Sequence, residues 1–103
     1  MTGCIYFIQE GPGGAIKIGW SRHPASIRLR QLQTGNSVEL ILLGFVCDCD
    51  KSEEVEWRRR FWEFRKRNEW FSPADALLKA IEPYRLAPAK TYWAPPVSIL
   101  GAA

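Results

Sequence analysis

Among the side chains of this sequence, Tyr6, Lys17, Arg28 and Glu54 are of types that could activate water beside a phosphate. A phenol accepts a proton from an attacking water more readily when its pKa is lowered, and a neighbouring cation lowers it by favouring phenolate. A planar guanidinium can hold a phosphate through two parallel hydrogen bonds and stabilise charge that develops there. A single carboxylate can recruit one Mg²⁺ or Mn²⁺ ion, because such ions commonly take only one or two protein carboxylates and complete their shell with water and phosphate oxygens. Singly, each residue has an ordinary structural use. Tyrosine serves as a core aromatic, lysine and arginine as solvated charges, and Glu54 as the partner of Arg58 in an i,i+4 helix pair. Only their placement decides between the two uses.

Placement follows from the elements. Residues 4–9 (Cys-Ile-Tyr-Phe-Ile-Gln) are β-branched and aromatic, which suits a strand covered on both faces. The turn cluster Gly11-Pro12-Gly13-Gly14 returns the chain into a second strand at residues 15–19. With that loop, Glu10 faces Ala15, Ile8 faces Lys17 and Tyr6 faces Gly19. Tyr6 and Lys17 then become diagonal neighbours on one sheet face, a relation that an odd-length loop or a bulge would break. Pro24 opens a helix reaching about Thr34, with Gly35-Asn36 as its stop. At about 100° per residue, Ala25, Leu29 and Leu32 form its apolar face and Arg28 sits at the margin, stem packed and head aimed.

Residues 38–47 read as a third strand. Asp50 and Glu53 form a capping box for a second helix that runs through Phe64 or slightly beyond. Trp57, Phe61 and Phe64 make its apolar face, with Glu54 on the side of Phe61. Ser72-Pro73 with Asp75 opens a third helix to about Tyr84. The order β-β-α-β-α-α predicts a small α+β domain over residues 1–85, a three-stranded antiparallel sheet flanked by three helices. Residues 86–103 carry prolines and no clear period, and read as an arm.

The composition agrees with a single folded unit. At 103 residues, 47% hydrophobic and 24% charged, the chain can bury one core and is not disordered as a whole. No apolar run has the length of a membrane span or a signal-peptide core, so the expectation is a cytoplasmic protein without a membrane partner. Cys4, Cys47 and Cys49 are odd in number, and the Cys47/Cys49 pair lacks a second pair to complete a zinc site, which points to three reduced structural thiols.

The net charge of +3 is mild, but its distribution is uneven. Arg58-Arg59-Arg60 and Arg65-Lys66-Arg67 alternate with Glu53, Glu54, Glu56 and Glu63, compatible equally with a solvated mixed-sign surface and with a strip that tracks phosphates. Trp57, Phe61, Phe64, Trp70 and Phe71 read as core rather than as a base-stacking platform. Trp20 and Trp62 are open in this respect.

Taken in order, these pieces resemble the GIY-YIG nuclease superfamily. Gly3-Cys4-Ile5-Tyr6 is similar to its first motif, and Lys17-Ile18-Gly19 to its second, in the phage and bacterial branch where lysine replaces the second tyrosine. Arg28-Leu29-Arg30-Gln31-Leu32-Gln33-Thr34-Gly35 matches that branch's R-L-x-x-L-Q-T-G throughout. Glu54 and Phe61 fit E-x-x-x-H-x-x-F, with Arg58 where the family has histidine, and Glu69-Trp70-Phe71 supplies the closing E-W-F. The resemblance covers residues 3–71.

It implies a metal-dependent endonuclease that hydrolyses phosphodiester bonds in nucleic acid, DNA rather than RNA. Tyr6, Lys17 and Arg28 would be catalytic, Glu54 would bind one Mg²⁺ or Mn²⁺, and Arg22, Arg58, Arg59, Arg60 and Lys66 would contact the nucleic acid. So small a domain would draw specificity from a homodimer or a larger partner. Arg58 favours the alternative, a catalytically inactive nucleic-acid-binding or protein-interaction module of the same fold, because a guanidinium cannot relay protons as histidine does.

Overall fold

The computed structural model describes residues 2–86, so the expected arm lies outside the described residues except for Leu86. Strand β1 (Gly3–Glu10) and strand β2 (Ile16–Ser21) form an antiparallel hairpin. Tyr6 faces Gly19 and Ile8 faces Lys17, as the loop length requires. The Glu10 amide donates to the Ala15 carbonyl at 2.9 Å, closing the turn. Gly11 and Gly13 take φ of 60° and 76° there, a region that glycine enters without steric cost. Strand β3 (Leu40–Cys49) pairs with the other edge of β1. β1 is therefore an interior strand, which explains why residues 5–8 are all buried.

Among the described residues the sheet has five strands where three were expected, in the order β3-β1-β2-β5-β4 and antiparallel at every pairing. The two additional strands are β4 (Arg65–Arg67) and β5 (Trp70–Phe71), a short hairpin docked on β2 through Ile16 with Phe71 and Lys17 with Trp70. Three consecutive cations followed by two aromatics show no period-2 signal, so pairing with β2 makes them strands rather than local pattern. Asn68, at φ 48°, supplies the left-handed residue of the turn between them.

Helix α1 (Ala25–Gln33) starts just after Pro24 and keeps the expected face, with Ala25 and Leu29 buried and Arg28 half-buried. Helix α2 (Lys51–Arg60) carries the expected capping box, in which the Asp50 amide donates to Glu53 Oε2 at 2.7 Å. It ends at Arg60 rather than running through Phe64. The chain tightens into a 3₁₀ turn (Trp62–Phe64), with the Phe64 amide donating to the Phe61 carbonyl at 2.9 Å, and then enters β4. That turn also decides which aromatic goes inside: Phe61 is buried and Trp62 is left outside. Helix α3 (Asp75–Ile81) is capped by Ala74 rather than Ser72, and a 3₁₀ turn (Glu82–Tyr84) follows it. The Ser72 amide is engaged at the sheet instead, donating to the Phe64 carbonyl at 2.8 Å.

Alternation along β1 sends Ile5 and Phe7 to one face and Tyr6 and Ile8 to the other. The first face packs with Ile16, Ile18 and Phe71 against Phe61 of the α2 end and Leu77 and Ile81 of α3. The second packs with Leu40 and Leu42 under Ala25 and Leu29 of α1. Leu86 joins this second cluster, and its amide donates to the Leu43 carbonyl at 2.9 Å.

The cysteines also depart from expectation. Cys4 and Cys47 are register partners on β1 and β3 and form a disulfide, leaving Cys49 as the free, buried thiol. Their pairing depends on how β3 registers on β1, which no local spacing encodes. Among the described residues, no helix is long and apolar enough to cross a membrane.

Candidate active site

Tyr6 projects from the middle of β1, 1% exposed, and its ring lies across Gly19 of β2. A Cβ at Gly19 would overlap the Tyr6 ring carbon Cζ and its hydroxyl, so the absence of a side chain there makes room for the phenol. α1 crosses the same face and brings Arg28, whose Nε donates to the Tyr6 hydroxyl oxygen at 3.3 Å. Gln31, one turn on, accepts from Arg28 Nη1 at 3.1 Å. Two fixed points hold the guanidinium plane.

Lys17 shares the Tyr6 face as expected, but its charge is engaged by another partner. Its Nζ lies 2.9 Å from Glu69 Oε2 and 5.5 Å from the centre of the Trp70 ring. The expectation that Lys17 would lower the Tyr6 pKa is therefore corrected. Burial pushes the phenol above its ordinary value. Arg28 pulls it down through its hydrogen bond and charge, and the carboxylates of Glu69 and Glu54 push it up. In this state Tyr6 is a neutral phenol that accepts from Arg28 and keeps its own proton.

Glu54 lies on the inner side of α2, 2% exposed, and its Oε1 accepts from Arg58 Nη2 at 3.0 Å. Burial raises its pKa. Arg58 opposes that shift, Glu69 adds to it, and Lys51 and Lys17 oppose it. Glu54, Glu69, Tyr6 and Lys17 are thus electrostatic neighbours although they come from four segments of the chain. Glu69 comes alongside Lys17 through the topology: β5 pairs with Ile16 and Lys17, and the Ile18 amide donates to the Glu69 carbonyl at 3.0 Å.

The structure therefore brings the four catalytic and metal candidates Tyr6, Lys17, Arg28 and Glu54 near one another and adds Glu69, whose only mark in the sequence is the E-W-F motif. Nothing in the sequence marks Glu69 as facing Lys17 until β5 is recognised as a strand.

The proposed nucleic-acid contacts divide. Arg58 is half-buried on Glu54, and its Nε is a buried donor without a partner. Arg59 is exposed and pairs with Glu56 at 3.1 Å, and Arg60 lies 4.9 Å from the Phe61 ring centre. Arg22 is exposed in the loop after β2. Lys66 lines a cleft of about 330 Å³ with Arg67, Trp70, Glu10 and Ala15.

Compared with family models, with curated proteins and with solved structures, the chain gives no match.

Proposed function

We propose that this chain is a GIY-YIG-type endonuclease that hydrolyses phosphodiester bonds in nucleic acid, preferentially DNA, with one Mg²⁺ or Mn²⁺ ion. The observation that carries the reading is the gathering of Tyr6, Arg28, Lys17 and Glu54 about the β1-β2 hairpin, with Arg28 bonded to the Tyr6 hydroxyl at 3.3 Å and Glu54 an electrostatic neighbour of Tyr6 and Lys17. The motif resemblance and the expected hairpin register support it.

The residues fit a hard divalent cation. Glu54 is a buried carboxylate whose pKa is raised by burial and further by the nearby charge of Glu69. Glu54, with Glu69 as a neighbour, would hold the ion, which typically uses one or two protein carboxylates. When bound, the ion supplies polarisation of the phosphate and stabilisation of the departing oxygen.

The remaining work belongs to the chain's own groups. Arg28 uses two of its five N–H donors on Tyr6 and Gln31, and the others are available to a phosphate. Tyr6 would first lose its hydroxyl proton to solvent and then, as phenolate, orient the attacking water and take its proton. That loss is opposed chiefly by burial and favoured by Arg28, and a cation beside Glu54 and Glu69 would offset the two carboxylate charges that also oppose it. Lys17 holds Glu69 in place and keeps positive charge beside the site.

A second reading has its own observation. Arg58 already neutralises Glu54 at 3.0 Å, occupying the carboxylate an ion would need. A built-in cation of this kind suits a catalytically inactive module that binds nucleic acid or protein.

Incubation of the purified chain with supercoiled plasmid, single-stranded DNA and RNA, in Mg²⁺, Mn²⁺ or EDTA, separates the two. The nuclease reading expects metal-dependent cleavage that vanishes in Glu54→Gln. Cleavage that persists in EDTA or in Glu54→Gln refutes the metal assignment. Binding without cleavage in any metal selects the second reading.

A further inference from the structure

The largest exposed aromatic surface of the described residues stands beside the most basic stretch of the chain, and Trp62, Arg65 and Arg67 have no part in the site above. Trp62 is 56% exposed. The Arg65 guanidinium carbon lies 4.7 Å from its ring centre. Arg65 is further fixed by donating from Nε to the Asn68 carbonyl at 2.8 Å. A positioned cation therefore lies against one side of the exposed indole.

Around it, Arg65, Lys66 and Arg67 form β4, the outermost strand of the sheet, and all three are exposed. From Arg58 to Arg67 the sequence has six cations against one carboxylate, Glu63. Two of those cations, Arg58 and Arg59, are paired with Glu54 and Glu56. The unneutralised charge is therefore concentrated at Arg60 and along β4. Arg67 is the register partner of Trp70, which is the partner of Lys17, so this edge continues directly from the candidate active site. Lys66 and Arg67 also line the cleft beside the hairpin loop.

We propose that β4 and Trp62 form a docking surface for a single-stranded segment of nucleic acid, with phosphates along Arg65, Lys66 and Arg67 and one unpaired base stacked on Trp62. The proposal rests on the nucleic-acid reading above and narrows it to substrates with an unpaired stretch next to the cleaved bond. Charge complementarity selects a polyanion. The indole selects one that offers flat aromatic faces, because stacking accepts any base and needs no groove. Duplex interiors cannot supply such a face, since their bases are stacked on one another. Arg65 contributes twice, by lying against one side of the indole and by placing a cation where the backbone of a stacked nucleotide runs.

The test is fluorescence anisotropy of the full chain with three labelled probes: oligo-dT, a strand of the same length made of abasic sites, and a blunt duplex. All are measured in EDTA across a salt series, so that cleavage plays no part. Oligo-dT should bind most tightly. Trp62→Ala should weaken it roughly 5- to 150-fold, the range for one base–aromatic stack, with an unchanged salt slope. Trp62→Phe should restore most of the affinity, and the abasic strand should not distinguish Trp62→Ala from wild type. Replacing Arg65, Lys66 and Arg67 with alanine should flatten the salt dependence.

Equal affinity of wild type and Trp62→Ala for oligo-dT, both folded by circular dichroism, overturns the proposal. So does a duplex bound as tightly as oligo-dT. Failure of the cleavage assay with Trp62-dependent binding intact would retire the nuclease reading and leave this surface standing. Normal cleavage with Trp62-independent binding would do the reverse.

Discussion

Arg28 reaches from α1 to β1 and donates its Nε hydrogen to the Tyr6 hydroxyl oxygen at 3.3 Å. The bond ties the guanidinium plane to the phenol, so the two groups are positioned as a unit. Tyr6→Phe removes one neutral acceptor and leaves the ring across Gly19. Stability should change by about 0.5–1.5 kcal/mol at most, the net worth of a typical hydrogen bond. Single-turnover cleavage should fall roughly 10²–10⁴-fold, as for loss of a general base. Arg28→Lys should lower the same rate strongly while binding in EDTA barely changes, because lysine keeps the charge and loses the fork. Normal cleavage by the Arg28→Lys variant at saturating protein would falsify the positioned-arginine role.

Burial raises the Glu54 pKa, and this gives a signed dependence on pH. A carboxylate whose folded pKa lies above its unfolded value adds stability at low pH, and loses that contribution as pH rises through the folded value. Near neutrality wild type therefore carries an unfavourable buried charge. Glu54→Gln should melt at a higher temperature than wild type at neutral pH, with the gap closing as pH falls through the raised folded pKa toward the ordinary carboxylate value. Mg²⁺ should raise the wild-type melting temperature by mass action and leave that of Glu54→Gln unmoved. A Glu54→Gln variant less stable than wild type at neutral pH would show that the Arg58 pairing outweighs burial.

Gly19 tests the packing of Tyr6 without touching a polar group. Its missing Cβ is the space the Tyr6 ring occupies. Gly19→Ala should destabilise by about 1–3 kcal/mol through overpacking, and should slow cleavage because the phenol must move. Combining it with Tyr6→Ala should recover part of the loss, with a coupling of about 0.5–3 kcal/mol in a double-mutant cycle. Strict additivity in denaturant unfolding would argue that the two positions do not touch.

The Cys4–Cys47 bridge joins neighbouring strands and closes a loop with a sequence separation of 43. Under non-reducing conditions, alkylation of the denatured chain should label one thiol, Cys49, and labelling of the native chain should be slow because that thiol is buried. Reduction, or Cys4→Ser with Cys47→Ser, should lower stability by about 2–4 kcal/mol. Intact-mass spectrometry that finds three alkylated cysteines without reductant would remove the bridge.

The hairpin register, the α1 face carrying Arg28 and the capping box of α2 were all legible in the sequence. Each is set by contacts between residues close along the chain: a loop of known length, a 3.6-residue period, a side chain bonding three residues away. The same local rules are enough to place Tyr6 and Lys17 on one face. They could not say which partner each charge would choose. Lys17 turned to Glu69 because β5 docks beside β2, and β5 is a strand only by virtue of that docking. The end of α2 at Arg60, the exposure of Trp62 and the pairing of Cys4 with Cys47 have the same origin. Each depends on which strand lies alongside, and on where the chain must turn to reach it. The direction of the Tyr6 pKa shift belongs here too, since burial by α1 outweighs the nearby cation. Short-range geometry supplied the candidates, and long-range packing decided their neighbours and their charge.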